Sequence, residues 1–178
     1  CHYMEHKVQQ AEAMKGAKKR ILEVAAQFAA LTGREYGLFE AYRMEDAEIA
    51  LVLIGSSAGT AKVTVDALRA RGIPAGLVKI RVFRPFPAEE LAQTLKNVKA
   101  LAILDKAESF SAQGGPLFAE VRAALYDLEP RPRTVGYVYG LGGRDITPAH
   151  FASIFARLEA IAAGGELGPV YSHLGQRG

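Results

Sequence analysis

The chain has 178 residues, with 22 Lys and Arg against 19 Asp and Glu; the bases are scattered, so no basic stripe interleaved with aromatics marks a nucleic-acid binder. Apolar residues make up 49% and charged residues 23%, as expected for one globular α/β-sized domain with a proper core and room for an appendage. The apolar runs are strand-length, short of the roughly 20 residues of a membrane span, and the single cysteine cannot by itself build a disulfide framework, a zinc ribbon or an iron–sulfur cluster.

The N-terminus, Cys1-His-Tyr-Met-Glu-His-Lys7, carries no signal-peptide core, so a cytoplasmic protein is expected. Cys1 stands where a chain would ordinarily start with Met, inside a helical pattern, and the sequence reads as part of a longer polypeptide. From Glu5 to about Leu31, Ala17, Ile21, Val24, Phe28 and Leu31 share one face, which predicts an amphipathic helix ending at Thr32-Gly33. That face is expected to pack on the domain or on a neighbouring subunit. Residues 33–46 have weak periodicity and read as a linker that docks locally, so residues 1–45 are expected to be a helix and linker from a preceding domain.

Ile49 to Ile54 is a continuous apolar run that enters Gly55-Ser-Ser-Ala-Gly-Thr60, the pattern of a strand buried on both faces and followed by a helix. Ala61, Val65 and Leu68 give that helix its buried stripe, and Gly72-Ile-Pro74 stops it. Ala75 to Val82 reads as a second strand. Arg84-Pro-Phe-Pro87 breaks the chain, since two prolines remove two donors. A short helix over 88–96 precedes a third strand, Ala100 to Leu104, ending on Asp105. Residues 106–113 form a loop, and Gly114-Gly-Pro116 launches a helix with Leu117, Val121, Ala124, Leu125 and Leu128 in phase. Thr134 to Tyr139 is a fourth strand. Thr147-Pro148 caps a last helix that turns Phe151, Ile154, Phe155 and Leu158 inward. The tail, 164–178, has no pattern. Strand–helix alternation at this spacing predicts an α/β fold over 46–163: a three-layer open, mainly parallel sheet with helices on both faces, preceded by a long helix.

Two loops are candidate sites. Gly55, Ser56, Ser57, Gly59 and Thr60 could present backbone N–H groups to an anion or a partner's acidic group, although any strand-to-helix turn favours such residues and no phosphate-loop spacing is present. Gly140-Leu-Gly-Gly-Arg-Asp145 is denser. Gly142 and Gly143 permit left-handed backbone and close approach, and Arg144 with Asp145 could recognise a carboxylate or phosphate; alternatively the two charges pin the loop internally. Ser109 and Ser111 lack the elbow of a nucleophile. His2 and His6 have metal-like spacing but no third ligand. Asp105 either serves catalysis at a strand end or caps the following turn. No nucleophile, base and electrophile assemble here.

Taken in order, Asp46-Ala-Glu-Ile49 with Gly55-Ser56, Leu68-Arg-Ala-Arg-Gly72, Arg84-Pro-Phe-Pro87, Leu104-Asp-Lys106 with Gly114-Gly-Pro-Leu117, and above all Gly140 to Asp145 resemble one family. The chain is similar to the C-terminal, transketolase-C-terminal-like part of the alpha chain or region of pyruvate:ferredoxin oxidoreductases, over about 46–158. The resemblance implies an enzyme that decarboxylates a 2-oxoacid on thiamine diphosphate and Mg, passes electrons to ferredoxin through iron–sulfur clusters and delivers the acyl group to coenzyme A. None of the family's catalytic residues maps onto this chain, so the implied role is a structural and subunit-contact domain in an oligomer, inactive alone and binding none of those cofactors. The alternatives are the equivalent domain of a transketolase or 2-oxoacid dehydrogenase beta chain, and a free-standing anion-binding module.

Overall fold

A computed structural model describes residues 2–110 and 113–176. Six strands form one sheet: β1 (Phe39–Tyr42), β2 (Ile49–Ile54), β3 (Ala75–Ile80), β4 (Ala100–Asp105), β5 (Arg133–Val138) and β6 (Tyr171–His173). Their spatial order is β1-β3-β2-β4-β5-β6, with β1 antiparallel to β3 and every other pair parallel. The helices are α1 (Tyr3–Thr32), α2 (Ser57–Arg69), α3 (Ala88–Leu95), α4 (Pro116–Leu125) and α5 (Pro148–Ala162).

The predicted three-layer architecture is present, and its two cores follow from the pleat. Successive side chains of a strand point to opposite faces. Ile49, Leu51 and Leu53 of β2 meet Val65 and Leu68 of α2 and Phe151, Ile154, Phe155 and Leu158 of α5. Ala50 and Val52 of the same strand join Leu91 and Leu95 of α3 and Leu117, Phe118 and Val121 of α4 on the other face. At about 1.5–3 kcal/mol for each large side chain removed from water, these two layers dominate the stability of the fold. Gly136 in β5 leaves room on the second face: a methyl there would sit 2.7 Å from both Phe118 and Tyr171.

Two expectations change. Residues 33–46 dock locally, but they do so as a strand, because Phe39–Tyr42 pairs with β3 in the register Phe39↔Ile80 to Tyr42↔Leu77. Arg81 and Val82 extend this join by donating their N–H groups to the Leu38 carbonyl. The tail is likewise structured: Tyr171–His173 adds to β5, and Leu174 N–H donates to the Val138 carbonyl. The α/β unit therefore runs from β1 to β6.

The leading helix forms and ends where expected, and of the two surfaces expected to cover its apolar face the domain supplies little. It forms over 30 residues and ends on left-handed Gly33, yet it buries no residue. Its ties to the domain are few. Lys18 pairs with Glu89 and Glu90 at 2.9 and 2.8 Å, and Phe28 meets Tyr36 at 5.7 Å between ring centroids. Val24 and Phe28 remain exposed, and Ile21 is half-buried. No helix among the described residues is long and apolar enough to cross a membrane.

Candidate functional site

The C-terminal ends of the parallel strands gather both glycine-rich loops, since β2, β4 and β5 lie side by side and point the same way. In open α/β sheets this edge is where ligands and partners bind. The strand order reverses at β2, whose chain continues to β3 on one side while β4 lies on the other.

After β2, Gly55 turns with φ +92° and Ser56 precedes α2 without a side-chain cap. Ser57 opens the helix and is 6% exposed, whereas Gly59 faces solvent and Thr60 is half-buried. After β5, Gly140, Leu141, Gly142 and Gly143 form a 3₁₀ turn in which all three glycines have positive φ. Around Gly142 and Gly143 nothing lies within 4 Å of where a methyl would sit, so backbone handedness and not crowding selects glycine there. At Gly140 the close neighbour is the chain itself: a methyl would meet Lys106 Cε at 2.6 Å. Arg144 donates to the Gly175 carbonyl, fastening the tail to the loop. The internal Arg144–Asp145 arrangement is not formed.

Asp105, 5% exposed, is the most buried charged group here. Its carboxylate accepts from Leu117 N–H at 2.8 Å and Phe118 N–H at 3.0 Å, which satisfies two free donors of the first turn of α4. Burial pushes its pKa up, against these two hydrogen bonds. Gly115 permits the contact, since a methyl there would stand 2.3 Å from the Asp105 carboxyl carbon. Asp105 is therefore a helix cap, the second of its two expected roles.

Around it lies a polar cluster that the sequence did not reveal. Tyr139 closes one side, its hydroxyl buried without a hydrogen bond of ordinary length; burial raises its pKa, nearby Ser57 opposes the rise and Asp105 adds to it. The Tyr171 hydroxyl is shut in the same way, and burial followed by the Glu108 and Asp105 charges pushes it up to about 12. Glu108 is held below the usual carboxylate range, chiefly by His173, whose Nε2 lies 2.6 Å from it. Tyr171 and His173 arrive on β6, a strand with no sequence signal, 63 and 65 residues beyond Glu108; no local pattern could have found them. A cavity of about 580 Å³ opens between the glycine loop and the tail, lined by Tyr139, Gly140, Gly142, Arg144, His173 and Gln176 among others.

The other histidines and serines near the loops and the N-terminus have structural places. His150 Nδ1 accepts from the Thr147 N–H at 3.2 Å and completes the cap of α5. Ser109 lies in the loop after β4, its N–H donating to Glu108, while Ser111 falls outside the described residues. His2 and His6 sit at the exposed start of α1. Among the described residues no three His, Cys, Asp or Glu side chains come together so as to hold a metal. The single cysteine of the chain cannot by itself ligate an iron–sulfur cluster.

Residues 47–151 match the family model of the pyruvate:ferredoxin oxidoreductase core domain II. Pyruvate synthase subunit PorA of Thermotoga maritima is 48% identical over 154 residues, 86% of this chain and 39% of that one. Ketoisovalerate oxidoreductase subunit VorA of Pyrococcus horikoshii is 40% identical over 166 residues, 93% of this chain and 42% of that one. A solved 2-oxoglutarate:ferredoxin oxidoreductase from Magnetococcus marinus shares the fold with a TM-score of 0.52 at 19% identity, over 73% of this chain and 21% of that one. This chain spans about two fifths of the length of the curated relatives it matches. On the family match and these identities, the chain belongs to the pyruvate:ferredoxin oxidoreductase core domain II family.

Proposed function

We propose that this chain is a structural and subunit-contact domain of the alpha chain of a cytoplasmic, thiamine-diphosphate-dependent pyruvate:ferredoxin oxidoreductase. That enzyme decarboxylates pyruvate oxidatively, forms acetyl-CoA and reduces ferredoxin. The core domain II match over 47–151 carries this reading. In support, three charged groups at the sheet edge are engaged within the chain: Asp105 on α4, Glu108 on His173, and one guanidinium nitrogen of Arg144 on the tail. Thiamine diphosphate and its Mg, the iron–sulfur clusters and the coenzyme A site then belong to other parts of the enzyme, and α1 arrives from a preceding domain.

The contact surface on this reading is the C-terminal edge, with the Gly55–Thr60 turn beside the Gly140–Asp145 loop. Arg144 uses one guanidinium nitrogen on Gly175 and keeps donors for a neighbour. Two experiments test the proposal. The purified chain, given pyruvate, coenzyme A, thiamine diphosphate and a viologen acceptor, is expected to show no turnover; turnover without partners overturns the reading. In the complete enzyme, Arg144→Ala is expected to weaken subunit assembly and leave the apparent affinity for coenzyme A unchanged. Normal assembly with a raised coenzyme A requirement would make the loop a ligand site instead.

A further inference from the structure

We propose that the cavity between the Gly140–Asp145 loop and the tail seats an acidic segment of a neighbouring subunit, whose carboxylate docks on Arg144; this deepens the reading above and rests on it. The cavity measures about 580 Å³. A lone carboxylate or phosphate would leave most of that space empty, whereas sites of about 300–1,000 Å³ take ligands many atoms in size. Its walls divide by chemistry. Val138, Leu141 and Leu174 supply an apolar part, and Leu141 is 43% exposed. Gly140 and Gly142 supply bare main chain. Nothing lies within 4 Å of where a methyl on Gly142 would sit, so a second chain can approach the backbone there. Arg144, His173 and Gln176 supply the polar part.

Charge selects the occupant. The Arg144 guanidinium has five N–H donors; among the described residues it gives one nitrogen to the Gly175 carbonyl and meets no carboxylate. Lys106 borders the same loop, its stem against Gly140 and its ammonium 5.7 Å from the Tyr139 ring centroid. It too meets no carboxylate among the described residues. The neighbouring acids are engaged elsewhere: Glu108 lies 2.6 Å from His173 Nε2, and Asp105 takes two N–H groups of α4. Asp145 follows Arg144 in the chain but does not line the cavity. A planar fork with spare donors is complementary to a carboxylate or a phosphate, and not to a base. The apolar and main-chain walls then select a carboxylate carried on a polypeptide, because they offer a bare ion nothing to contact.

Subunit dissociation of the complete enzyme, measured by mass photometry over a salt series, tests this. Leu141→Asp places a carboxylate in the cavity wall without touching the Arg144–Gly175 bond, and Leu141→Asn places a neutral amide of the same shape there. At low salt the Asp variant is expected to dissociate at least about tenfold more readily than the Asn variant, the ratio closing toward one near about 1 M salt. Both should leave the melting temperature of the 178-residue chain within about 2 °C of its original value, because Leu141 is a surface residue. Arg144→Glu should likewise weaken assembly about tenfold more than Arg144→Ala. An equal effect within either pair overturns the proposal. So does stabilisation of the 178-residue chain by inorganic phosphate or coenzyme A that Arg144→Ala removes, since the occupant is then a free anion. The two readings fail separately: an enzyme that oxidises pyruvate and assembles without regard to the charge at these positions loses the docked carboxylate and keeps the function. Charge-dependent assembly of an enzyme inert toward pyruvate keeps the docking and loses the function.

Discussion

Helices α1 and α5 carry the same kind of apolar face and have opposite fates. In its 15 residues α5 buries Phe151, Ile154, Phe155, Leu158 and Ile161, whereas the 30 residues of α1 bury none. The faces differ less than the floors beneath them. The loop after β5 returns α5 across β2 and β4, whose Leu51, Leu53 and Leu104 present a ready apolar layer. No strand lies under α1, which reaches the domain through Lys18 and the ring of Phe28. Helical periodicity shows that a face can be covered, but the covering surface lies elsewhere in the chain or outside it.

The comparison can be broken most decisively by placing a charge on each face. Leu158→Asp leaves an unpaired carboxylate in a closed core and should cost more than about 4 kcal/mol, as should Leu51→Asp and Leu53→Asp on the strand beneath. Val24→Asp on α1 should stay within about 0.5 kcal/mol. Urea unfolding of the four variants measures the gap. A tolerated Leu53→Asp would mean that β2 is not buried on both faces.

A smaller effect separates two carboxylates of the sheet. Asp105→Asn keeps the shape but sets an amide N–H₂ or a lone acceptor against two backbone donors, and should cost about 1–3 kcal/mol. The wild-type Asp105 pKa is raised, so the native state holds this proton to higher pH than the unfolded chain. Its contribution to stability therefore improves as pH falls through the raised native value toward the ordinary aspartate range. Stability curves against pH should lose that component in the variant.

Glu40 on β1 has the opposite sign. Lys62, with Arg81 beside it, lowers its pKa, so it stabilises above the ordinary glutamate value, and that benefit is lost as pH falls through the lowered native value. Glu40→Gln should cost about 1 kcal/mol near neutral pH and almost nothing in acid, which thermal melts at the two pH values would read. An equal cost at both would place the loss in packing instead.

The smallest expected change returns to α1. Gly16 lies inside the helix with open space around it, so Gly16→Ala should favour the helix locally by up to about 1 kcal/mol. Circular dichroism should show more helix, with the melting temperature of the domain unchanged. A rise in that temperature would show that α1 unfolds together with the sheet and that its few ties are strong.

What the sequence by itself determined is everything with a local signal. The strands expected at 49–54, 75–82, 100–104 and 134–139 form at 49–54, 75–80, 100–105 and 133–138, each around an apolar stretch that the sheet buries, and Pro116 and Thr147-Pro148 mark helix starts through fixed φ and a side-chain cap. Ile54, the last of its run, is nonetheless 41% exposed, because the strand ends at the open edge. Only the tertiary structure decided β1 and β6. Phe39-Glu-Ala-Tyr42 and Tyr171-Ser-His173 are short and mixed, and each becomes a strand because a neighbour presents unpaired N–H and C=O groups. The edge chemistry follows from those pairings. Glu108 reaches His173, and Arg144 reaches Gly175, only after β6 has docked on β5. Contacts between residues so far apart in the chain depend on strand order, which hydrophobic period alone does not encode.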